Sequence, residues 1–264
     1  MNNKLPISIV IPCCDDYRIR QCIESIDVSV EIIVVLNGST KDFKLFVEQL
    51  NTKIIDLPEK GLARSLNAGI DNSINQYVLM MDSDCVFESG ALKEFFGNLD
   101  SAEVAKGRVV YLQKGIISSV ISKVRDYINY DELKPYNPFV CINKSIKDKI
   151  GGYYYDNNIF WTEDADLNLR IKKAEIIPKY IFSSIVYHAP LTIKHDLAGA
   201  FKAGVGKRKR VEQKIAFGVN SHFKKIFDMM GKKGILSGVY YFLWNCVYVY
   251  GYFFQLLFKY ASSK

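Results

Sequence analysis

The sequence predicts an α/β fold in which a mostly parallel sheet is flanked by helices. Short β-branched runs recur along the first half of the chain, and segments with helical spacing lie between them. Strands that alternate with helices form βαβ crossovers, which place the strands parallel within one sheet. A length of 264 residues suits one domain of this kind with an appendage.

The individual elements follow from local patterns. Ile7–Ile11 is a β-branched run that stops at Pro12, and Val30–Leu36 ends at Asn37-Gly38, a strong turn pair. Further strands are predicted at 53–57, 77–81, 104–112 and 139–142, and helices at 62–72, 116–130, before Gly151-Gly152, and after Thr162 as N-cap. Ligands bind outside the carboxyl ends of parallel strands, so the residues after each strand are the candidates for a site.

Composition narrows the class of protein. The net charge of +7 fits a polyanionic ligand or an anionic membrane surface, and by itself does not argue for a nucleic-acid partner, which we do not expect. None of the six cysteines forms a CxxC pair, so we expect free thiols in a reducing compartment. The N-terminus lacks the apolar region of a signal peptide, which favours a cytoplasmic protein.

The last third of the chain has a different character. Gly206–Arg210 is a basic cluster, which suits either a diphosphate or anionic head group or a solvated basic face. Ile235–Phe258 contains no charged residue and is long enough to span a bilayer as a helix. Its tyrosines and Trp244 favour a membrane interface, with a core or substrate-tunnel helix as the alternative. We therefore predict a helical tail that associates with the inner face of the cell membrane.

Two acidic segments are candidates for chemistry. Asp82 and Asp84 follow a buried strand with i, i+2 spacing, which points both carboxylates to one side and suits Mg²⁺ or Mn²⁺. A solvated acidic turn is the alternative. Asp164 lies in the first turn of a predicted helix beside Trp161, where it is a candidate general base or a simple helix-capping residue. His188 ends an apolar strand and is either a third metal ligand or a core histidine.

The order of these segments resembles glycosyltransferase family 2, whose members have the GT-A fold, a Rossmann-like sheet flanked by helices. The segments that carry the resemblance are 8–12, 31–40, 61–70, 78–84, 151–153 and 162–170. No single motif is decisive, but their joint order is specific. The resemblance implies an inverting transfer of sugar from a nucleotide-sugar donor to a hydroxyl of a polysaccharide, glycolipid or lipid-linked sugar.

The resemblance also implies roles for particular residues. The expected nucleotide-binding residues are Pro12, Cys13, Asp15, Asn37, Gly38, Arg64, Asp82 and Ser83. The expected metal ligands are Asp82, Asp84 and His188 for Mg²⁺ or Mn²⁺, Asp164 is the expected base, and Trp161 and Glu163 are expected to bind substrate.

One departure from the family leaves the donor open. The family often has two aspartates before Gly-Ser in the second loop, where this chain has Leu36 and Asn37, so UDP-, GDP- and dTDP-linked sugars all remain candidates.

The expected organisation is a catalytic domain over 1–200, with nucleotide-binding and acceptor-binding parts divided near residue 100, and a tail over 201–264. A sugar-nucleotide pyrophosphorylase and a non-catalytic, membrane-bound sugar-binding protein are the alternatives.

Overall fold

A computed structural model of the chain describes residues 4–159, 161–213 and 223–262, with side chains described to residue 254. The strands are β1 Ile7–Cys13, β2 Glu31–Asn37, β3 Lys53–Leu57, β4 Tyr77–Met80, β5 Cys85–Phe87, β6 Val104–Tyr111, β7 Val140–Asn143 and β8 Lys179–His188. The helices are α1 Ile19–Glu24, α2 Lys41–Glu48, α3 Leu62–Asp71, α4 Ala91–Gly97, α5 Ile116–Asp126, α6 Glu163–Lys173, α7 Ile193–Glu212, α8 Phe223–Lys233 and α9 Ile235–Ser262.

The chain forms two compact units. The first comprises Met1–Val110, Pro135–Asn157 and Asp164–Ala189, and the second comprises Tyr111–Lys134, Asn158–Glu163 and Pro190–Lys264. The first unit therefore holds the sheet, and the second holds α5, α7, α8 and α9. The predicted division near residues 100 and 200 stays a prediction, and positions 214–222 and 263–264 of the predicted tail lie outside the described residues.

The sheet has eight strands in the order β3-β2-β1-β4-β7-β6-β8-β5. The strands β3, β2, β1 and β4 are parallel, which confirms the α/β prediction for the first half of the chain. Beyond β4 the sheet is mixed, because β7 runs antiparallel to both β4 and β6, and β5 runs antiparallel to β8. The sequence patterns did not distinguish these later strands, because strand periodicity carries no information about direction.

A buried ion pair fixes α6 within the first unit. The Asp166 side chain is fully buried and accepts a hydrogen bond from Arg170 Nε at 2.8 Å. Arg170 Nη1 in turn donates to the carbonyl oxygens of Ile150 and Tyr153 at 3.0 and 2.7 Å. The segment before Gly151-Gly152, predicted as a helix, forms only a 3₁₀ turn at Lys144–Ile146. The carbonyl groups of Ile150 and Tyr153 therefore lie in irregular backbone, and Arg170 satisfies them.

The predicted cap at Thr162 is wrong. Its side-chain oxygen is buried and accepts no hydrogen bond from any described residue. Thr162 does directly precede α6, so the residue type and position suit a cap, but the hydrogen bond of a cap is not formed.

The second unit is a helical assembly built on the pairing of α7 with α9. A Cβ added to Gly204 would lie 2.0 Å from the carbonyl oxygen of Tyr248, so only glycine permits this approach of the two backbones. A buried network supports the unit, in which Asp196 accepts hydrogen bonds from Arg125 Nε at 2.8 Å and from the Tyr240 hydroxyl at 2.6 Å. Among the residues that the structure describes, no helix is both long enough and apolar enough to cross a membrane.

Candidate active site

The turn after β4 carries the predicted metal-binding pair. Asp84 and His188 lie together because Cys85, the first residue of β5, pairs with His188 at the end of β8. His188 Nε2 is 3.5 Å from Asp84 Oδ1. The ligand atoms of Asp84, Cys85 and His188 all lie within 4.8 Å of one another, which makes them a group able to hold a metal ion.

The orientation of the His188 ring fits a cation at this position. Its Nδ1 lies 2.7 Å from the carbonyl oxygen of Ala189, an acceptor that assigns the proton of a neutral ring to Nδ1. The lone pair of Nε2 then faces the Asp84 carboxylate, and a cation between two acceptors relieves their repulsion. Backbone acceptors orient metal-binding histidines in the same way.

Cys85 is the weakest ligand of this group. Burial, with the adjacent carboxylates of Asp82 and Asp84, raises the pKa of the Cys85 thiol well above its ordinary value. A protonated thiol is a poor ligand, and a hard cation such as Mg²⁺ or Mn²⁺ prefers oxygen. The donor set that suits such a cation is therefore carboxylate and imidazole.

Asp82 interacts electrostatically with Asp84, a predicted metal ligand, and with Asp164, the predicted base. Its pKa rises to about 7, first because the carboxyl group is desolvated and then because the charges of Asp84 and Asp164 repel its own. Asp164 is half-buried in the first turn of α6, and its Oδ1 accepts a hydrogen bond from the following amide at 2.7 Å. Asp82 is thus coupled electrostatically both to its neighbour Asp84 and to Asp164, which is distant in sequence.

A buried lysine accompanies these carboxylates and was missed by the sequence analysis. Lys106 is 1% exposed, and its Nζ donates to the carbonyl oxygens of Tyr136 at 2.5 Å and Pro138 at 3.1 Å. Burial lowers the pKa of Lys106, whereas the charges of Asp164 and Asp82 raise it. The sequence signal that could have found it is a lysine at a buried position of β6, a strand in which Lys106 and Arg108 interrupt apolar residues and glycine.

The loops predicted to hold the nucleotide are tied to one another. Pro12 and Cys13 end β1, and the carbonyl oxygen of Cys13 accepts a hydrogen bond from Ser39 Oγ at 3.3 Å. Asp15, an exposed residue with φ of +52°, accepts hydrogen bonds from Thr40 N at 2.8 Å and Thr40 Oγ1 at 3.0 Å. Burial raises the pKa of the Cys13 thiol to about 11, so this cysteine stays neutral.

Asn37, Gly38 and Arg64 form a second loop cluster. Asn37 Oδ1 accepts a hydrogen bond from Gly61 N at 2.6 Å, so its carbonyl already holds the start of α3 and its NH₂ is the group left to donate to a nucleotide. Gly38 has φ of +65° and donates its N–H to the Leu57 carbonyl at 2.9 Å. Arg64 donates to Glu59 and to the carbonyl of Lys60, both at 2.9 Å.

Arg18 was also missed and lies against Asp84, one of the predicted metal ligands. Its Nη1 is 3.2 Å from Asp84 Oδ2, and its Nε and Nη2 donate to Asp16 at 2.8 and 2.7 Å. Ser83 Oγ donates to the same Asp16 carboxylate at 3.1 Å. Burial would raise the pKa of Asp16, but the bonds from Arg18 outweigh it and lower that pKa below its usual value.

Trp161 and Glu163 belong to the second unit. Trp161 is 38% exposed, and Lys202 Nζ lies 4.2 Å above the centre of its ring system. Glu163 is 5% exposed and begins α6. An exposed aromatic ring is able to stack on a sugar, so the placement of Trp161 is compatible with its predicted role.

A sheet with a parallel half, at whose strand ends loops and carboxylates gather, is typical of α/β enzymes that bind nucleotides. The family model described as "Glycosyl transferase family 2" matches residues 8–166. This match spans more than half of the chain, and the chain belongs to glycosyl transferase family 2. It is an enzyme that transfers a sugar from a nucleotide-sugar donor. No curated protein sequence matches the chain.

Solved structures share the GT-A fold at low identity. A mannosyltransferase from Pyrobaculum calidifontis, in complex with GDP-Man and Mn²⁺, is 12% identical with a TM-score of 0.61, over 94% of this chain and 74% of the other. S. aureus TarS 1–349 is 15% identical with a TM-score of 0.57, over 83% of this chain and 68% of the other. The complex of that TarS fragment with UDP-GlcNAc has a TM-score of 0.59 at 15% identity, over 83% and 69%. The chain covers 41% of the longer TarS chain.

Proposed function

We propose that the chain catalyses an inverting, metal-dependent transfer of a sugar from a nucleotide-sugar donor to an acceptor hydroxyl. The observation that carries this proposal is the convergence of Asp84 with His188, and of Asp82 with Asp84 and Asp164. Such a group of carboxylates and imidazole can hold a cation on one side and accept a proton on the other.

The residues divide into two roles. Asp82, Asp84 and His188 would hold Mg²⁺ or Mn²⁺, and the cation would offset the negative charge that develops on the departing nucleoside diphosphate. Asp164 accepts the proton of the attacking hydroxyl, a contribution of about 10²–10⁴ in rate for a well-placed base. Burial lowers the pKa of Lys106 and the charge of Asp164 opposes this, so a cation is coupled electrostatically to the proposed base.

The donor and acceptor are assigned by class. The nucleotide contacts the loops after β1, β2 and β4 and the helix α3, through Pro12, Cys13, Asp15, Asn37, Gly38, Arg64 and Ser83. The acceptor contacts Trp161 and Glu163. The solved relatives hold UDP, UDP-GlcNAc or GDP-Man, so we propose a UDP-, GDP- or dTDP-linked donor. The acceptor is a glycan or a lipid-linked sugar, bound by a catalytic domain over 1–200.

The tail over 201–264 places the enzyme on the inner face of the cell membrane. Over residues 235–254, where the side chains of α9 are described, the exposed positions repeat at three- and four-residue intervals and none of them is charged. The large apolar side chains of this stripe are Ile235, Leu236, Val239, Phe242, Leu243, Tyr250 and Phe253. A face of this kind suits a helix that lies in the membrane interface with its apolar side in the acyl region.

The test is a transfer assay on the full chain with each nucleotide sugar, in Mn²⁺ or in EDTA. We expect release of nucleoside diphosphate and a product of inverted anomeric configuration, observed by NMR, in Mn²⁺ only. Equal transfer rates in Mn²⁺ and in EDTA would show that the reaction needs no metal. Retention of the anomeric configuration in the product would exclude Asp164 as the base of an inverting transfer. Release of pyrophosphate from a nucleoside triphosphate and a sugar phosphate would instead identify a pyrophosphorylase.

A further inference from the structure

Two cations on one face of α7 lack a carboxylate partner. Lys207 and Arg210 are three residues apart on the helix, so their side chains are neighbours. Arg210 is 7% exposed, and its Nε is shielded from solvent and has no hydrogen-bond acceptor among the described residues. All 28 acidic residues of the chain belong to the described part, and no ion pair there joins one of them to Lys207 or Arg210.

Arg208, on the same helix, differs from these two residues because it has hydrogen-bond partners within the protein. Its Nε donates to Glu212 Oε1 at 3.0 Å, and its Nη1 lies 3.3 Å from the Tyr252 hydroxyl. The basic cluster is therefore not a uniform solvated face. It contains a cation with internal partners, Arg208, and two cations, Lys207 and Arg210, that form no ion pair or hydrogen bond with the described residues.

The pairing of α7 with α9 places a further unsatisfied donor near these cations. Gly204 meets the backbone of Tyr248, and Gly251 meets the backbone of Phe201, so the two helices run antiparallel. Continuing this register at 1.5 Å per residue brings residues 207–211 alongside 241–245. The indole N–H of Trp244 is buried in this stretch and has no acceptor among the described residues.

Electrostatics supports the proximity of these groups. Burial raises the pKa of Tyr248 to about 12, and the charge of Arg210 acts in the opposite direction. The rings of Trp244 and Tyr248 are stacked at 5.7 Å, so Arg210 acts on a ring that touches Trp244. Burial lowers the pKa of Lys207, and the like charge of Arg210 lowers it further.

This arrangement is costly for the protein unless an anion is present. Arg210 is a buried cation that loses hydration without gaining a partner, and the like charge of the half-buried Lys207 repels it. A group with two negative charges and several acceptor oxygens would pair with both cations and accept the indole N–H. Phosphate oxygens have this charge and geometry, and arginine binds them with two parallel hydrogen bonds.

We propose that Lys207, Arg210 and the indole N–H of Trp244 form a binding site for a phosphoryl group, either a phosphate monoester or a diphosphate. The site consists entirely of residues of the second unit and uses none of the residues assigned to the donor or the metal. Its ligand is a dissolved phosphate compound or the head group of a phosphate-bearing lipid, and both present the same chemistry to these side chains.

The experiment measures the thermal stability of the full chain as inorganic pyrophosphate is added in the presence of EDTA. EDTA prevents a divalent cation from holding the anion at Asp82 and Asp84. A ligand that binds the native state raises the melting temperature with concentration. We expect this rise in the wild type, and at least a tenfold higher pyrophosphate concentration to reach the same rise in Lys207→Met and Arg210→Met.

Lys194→Met is the matched control, because Lys194 is an exposed lysine of the same helix with no ion pair among the described residues. It removes the same charge and should respond to pyrophosphate as the wild type does.

In buffer without phosphate, Arg210→Met should melt at or above the wild-type temperature, since the substitution removes a buried charge without a partner.

A parallel titration with short-chain phosphatidic acid separates the two sources of the ligand. A larger rise with phosphatidic acid than with pyrophosphate at equal concentration identifies a lipid head group, and the reverse identifies a dissolved phosphate compound. The site is disproved if neither titrant stabilises the wild type, or if both methionine variants respond as the wild type does. A lower melting temperature of Arg210→Met in phosphate-free buffer would also disprove it, because Arg210 would then have a partner within the protein.

Discussion

The ring of His188 faces the carboxylate of Asp84, with Nε2 3.5 Å from Oδ1, and the two residues come from different strands of the sheet edge. The antiparallel register of β5 and β8 brings them together, and the hydrogen-bond geometry at Nδ1 turns the Nε2 lone pair toward Asp84. Two facing acceptors at this distance are suited to sharing a cation. This pair is therefore the part of the proposed metal site that the fold itself fixes.

The first prediction concerns this pair. Asp84→Ala should abolish Mn²⁺-dependent binding of nucleoside diphosphate, and His188→Ala should weaken it by about 10–100-fold, as is typical when one group of a metal centre is removed. Isothermal titration calorimetry with and without Mn²⁺ measures both effects. His195→Ala, which removes an exposed histidine of α7, serves as the control. Unchanged affinity in Asp84→Ala would show that the cation is held elsewhere.

The second prediction separates binding from chemistry at Asp164. Asp164→Asn keeps the size of the side chain but cannot accept a proton, so we expect normal donor affinity and a loss of about 10²–10⁴ in kcat. Transfer assays under single-turnover conditions measure the chemical step. Asp148→Asn removes an exposed carboxylate of the first unit and should leave the rate unchanged. Near-normal turnover of Asp164→Asn would exclude Asp164 as the base.

The third prediction concerns Asp166, which lies two residues further along α6 and has a structural role. Its side chain is fully buried against Arg170, which is 10% exposed. Asp166→Asn leaves Arg170 as a buried cation without its carboxylate and should lower the free energy of unfolding by about 3–5 kcal/mol. Urea unfolding followed by circular dichroism measures this loss.

A surface ion pair provides the control for Asp166. Glu103 pairs with Lys149 at 2.7 Å, and both side chains are at least one-third exposed. Because solvent screens such a pair, Glu103→Gln should change stability by less than about 1 kcal/mol. If the two substitutions had equal effects, the Asp166–Arg170 pair would not be the anchor that its burial indicates.

The fourth prediction follows from the charge of Lys106. This charge lowers the pKa of Asp82, which burial and the neighbouring carboxylates raise to about 7. Lys106→Met removes the charge, so Asp82 should take up its proton at a higher pH. The acid limb of the kcat/KM profile should therefore move upward, by about one pH unit, as expected for the loss of a nearby opposite charge.

A purely structural role for Lys106 would give a different result. Loss of its bonds to the carbonyls of Tyr136 and Pro138 would then lower stability, by about 1–3 kcal/mol, and leave the pH profile in place. Lys123→Met, at an exposed lysine of α5, controls for the change in net charge. An unshifted acid limb in Lys106→Met would show that Lys106 does not act on the carboxylates of the site.

The sequence predicts features that depend on neighbouring residues and misses those that depend on the fold. The parallel strands and the turn at Asn37-Gly38 follow from β-branched runs and turn pairs, and the structure contains them. Arg18 and Lys106 could not be placed, because their proximity to Asp84 and Asp82 arises only when distant segments meet at the sheet. Thr162 shows a different failure, since a residue type that favours capping directly precedes α6 but its side-chain oxygen accepts no hydrogen bond from the described residues.

The same limit applies to the tail. The absence of charge from 235 to 258 predicts one apolar helix, and α9 is continuous over this range. Whether such a helix lies inside a protein or on a membrane depends on which side chains its neighbours cover. Tyr240 and Tyr252 are buried and contact Asp196 and Arg208 of α7, whereas the stripe that includes Leu236 and Phe242 is exposed.

The fifth prediction tests that stripe. Leu236 and Phe242 are 64% and 48% exposed, so charges at these positions should be tolerated by the fold. The double variant Leu236→Glu/Phe242→Glu should lose binding to vesicles that contain anionic lipid, because a charge at a membrane interface opposes burial of the apolar face. Co-sedimentation with vesicles measures binding, and thermal unfolding confirms that the fold is retained.

Ile177→Glu is the matched control for the stripe. Ile177 is 88% exposed in the first unit, so this substitution also replaces an exposed apolar side chain with a negative charge. A general effect of charge would weaken vesicle binding in both proteins, whereas a membrane-facing stripe predicts a loss only in the α9 variant. If the α9 variant still sediments with vesicles like the wild type, the exposed face of α9 does not contact lipid, and the acceptor has to be sought among soluble glycans.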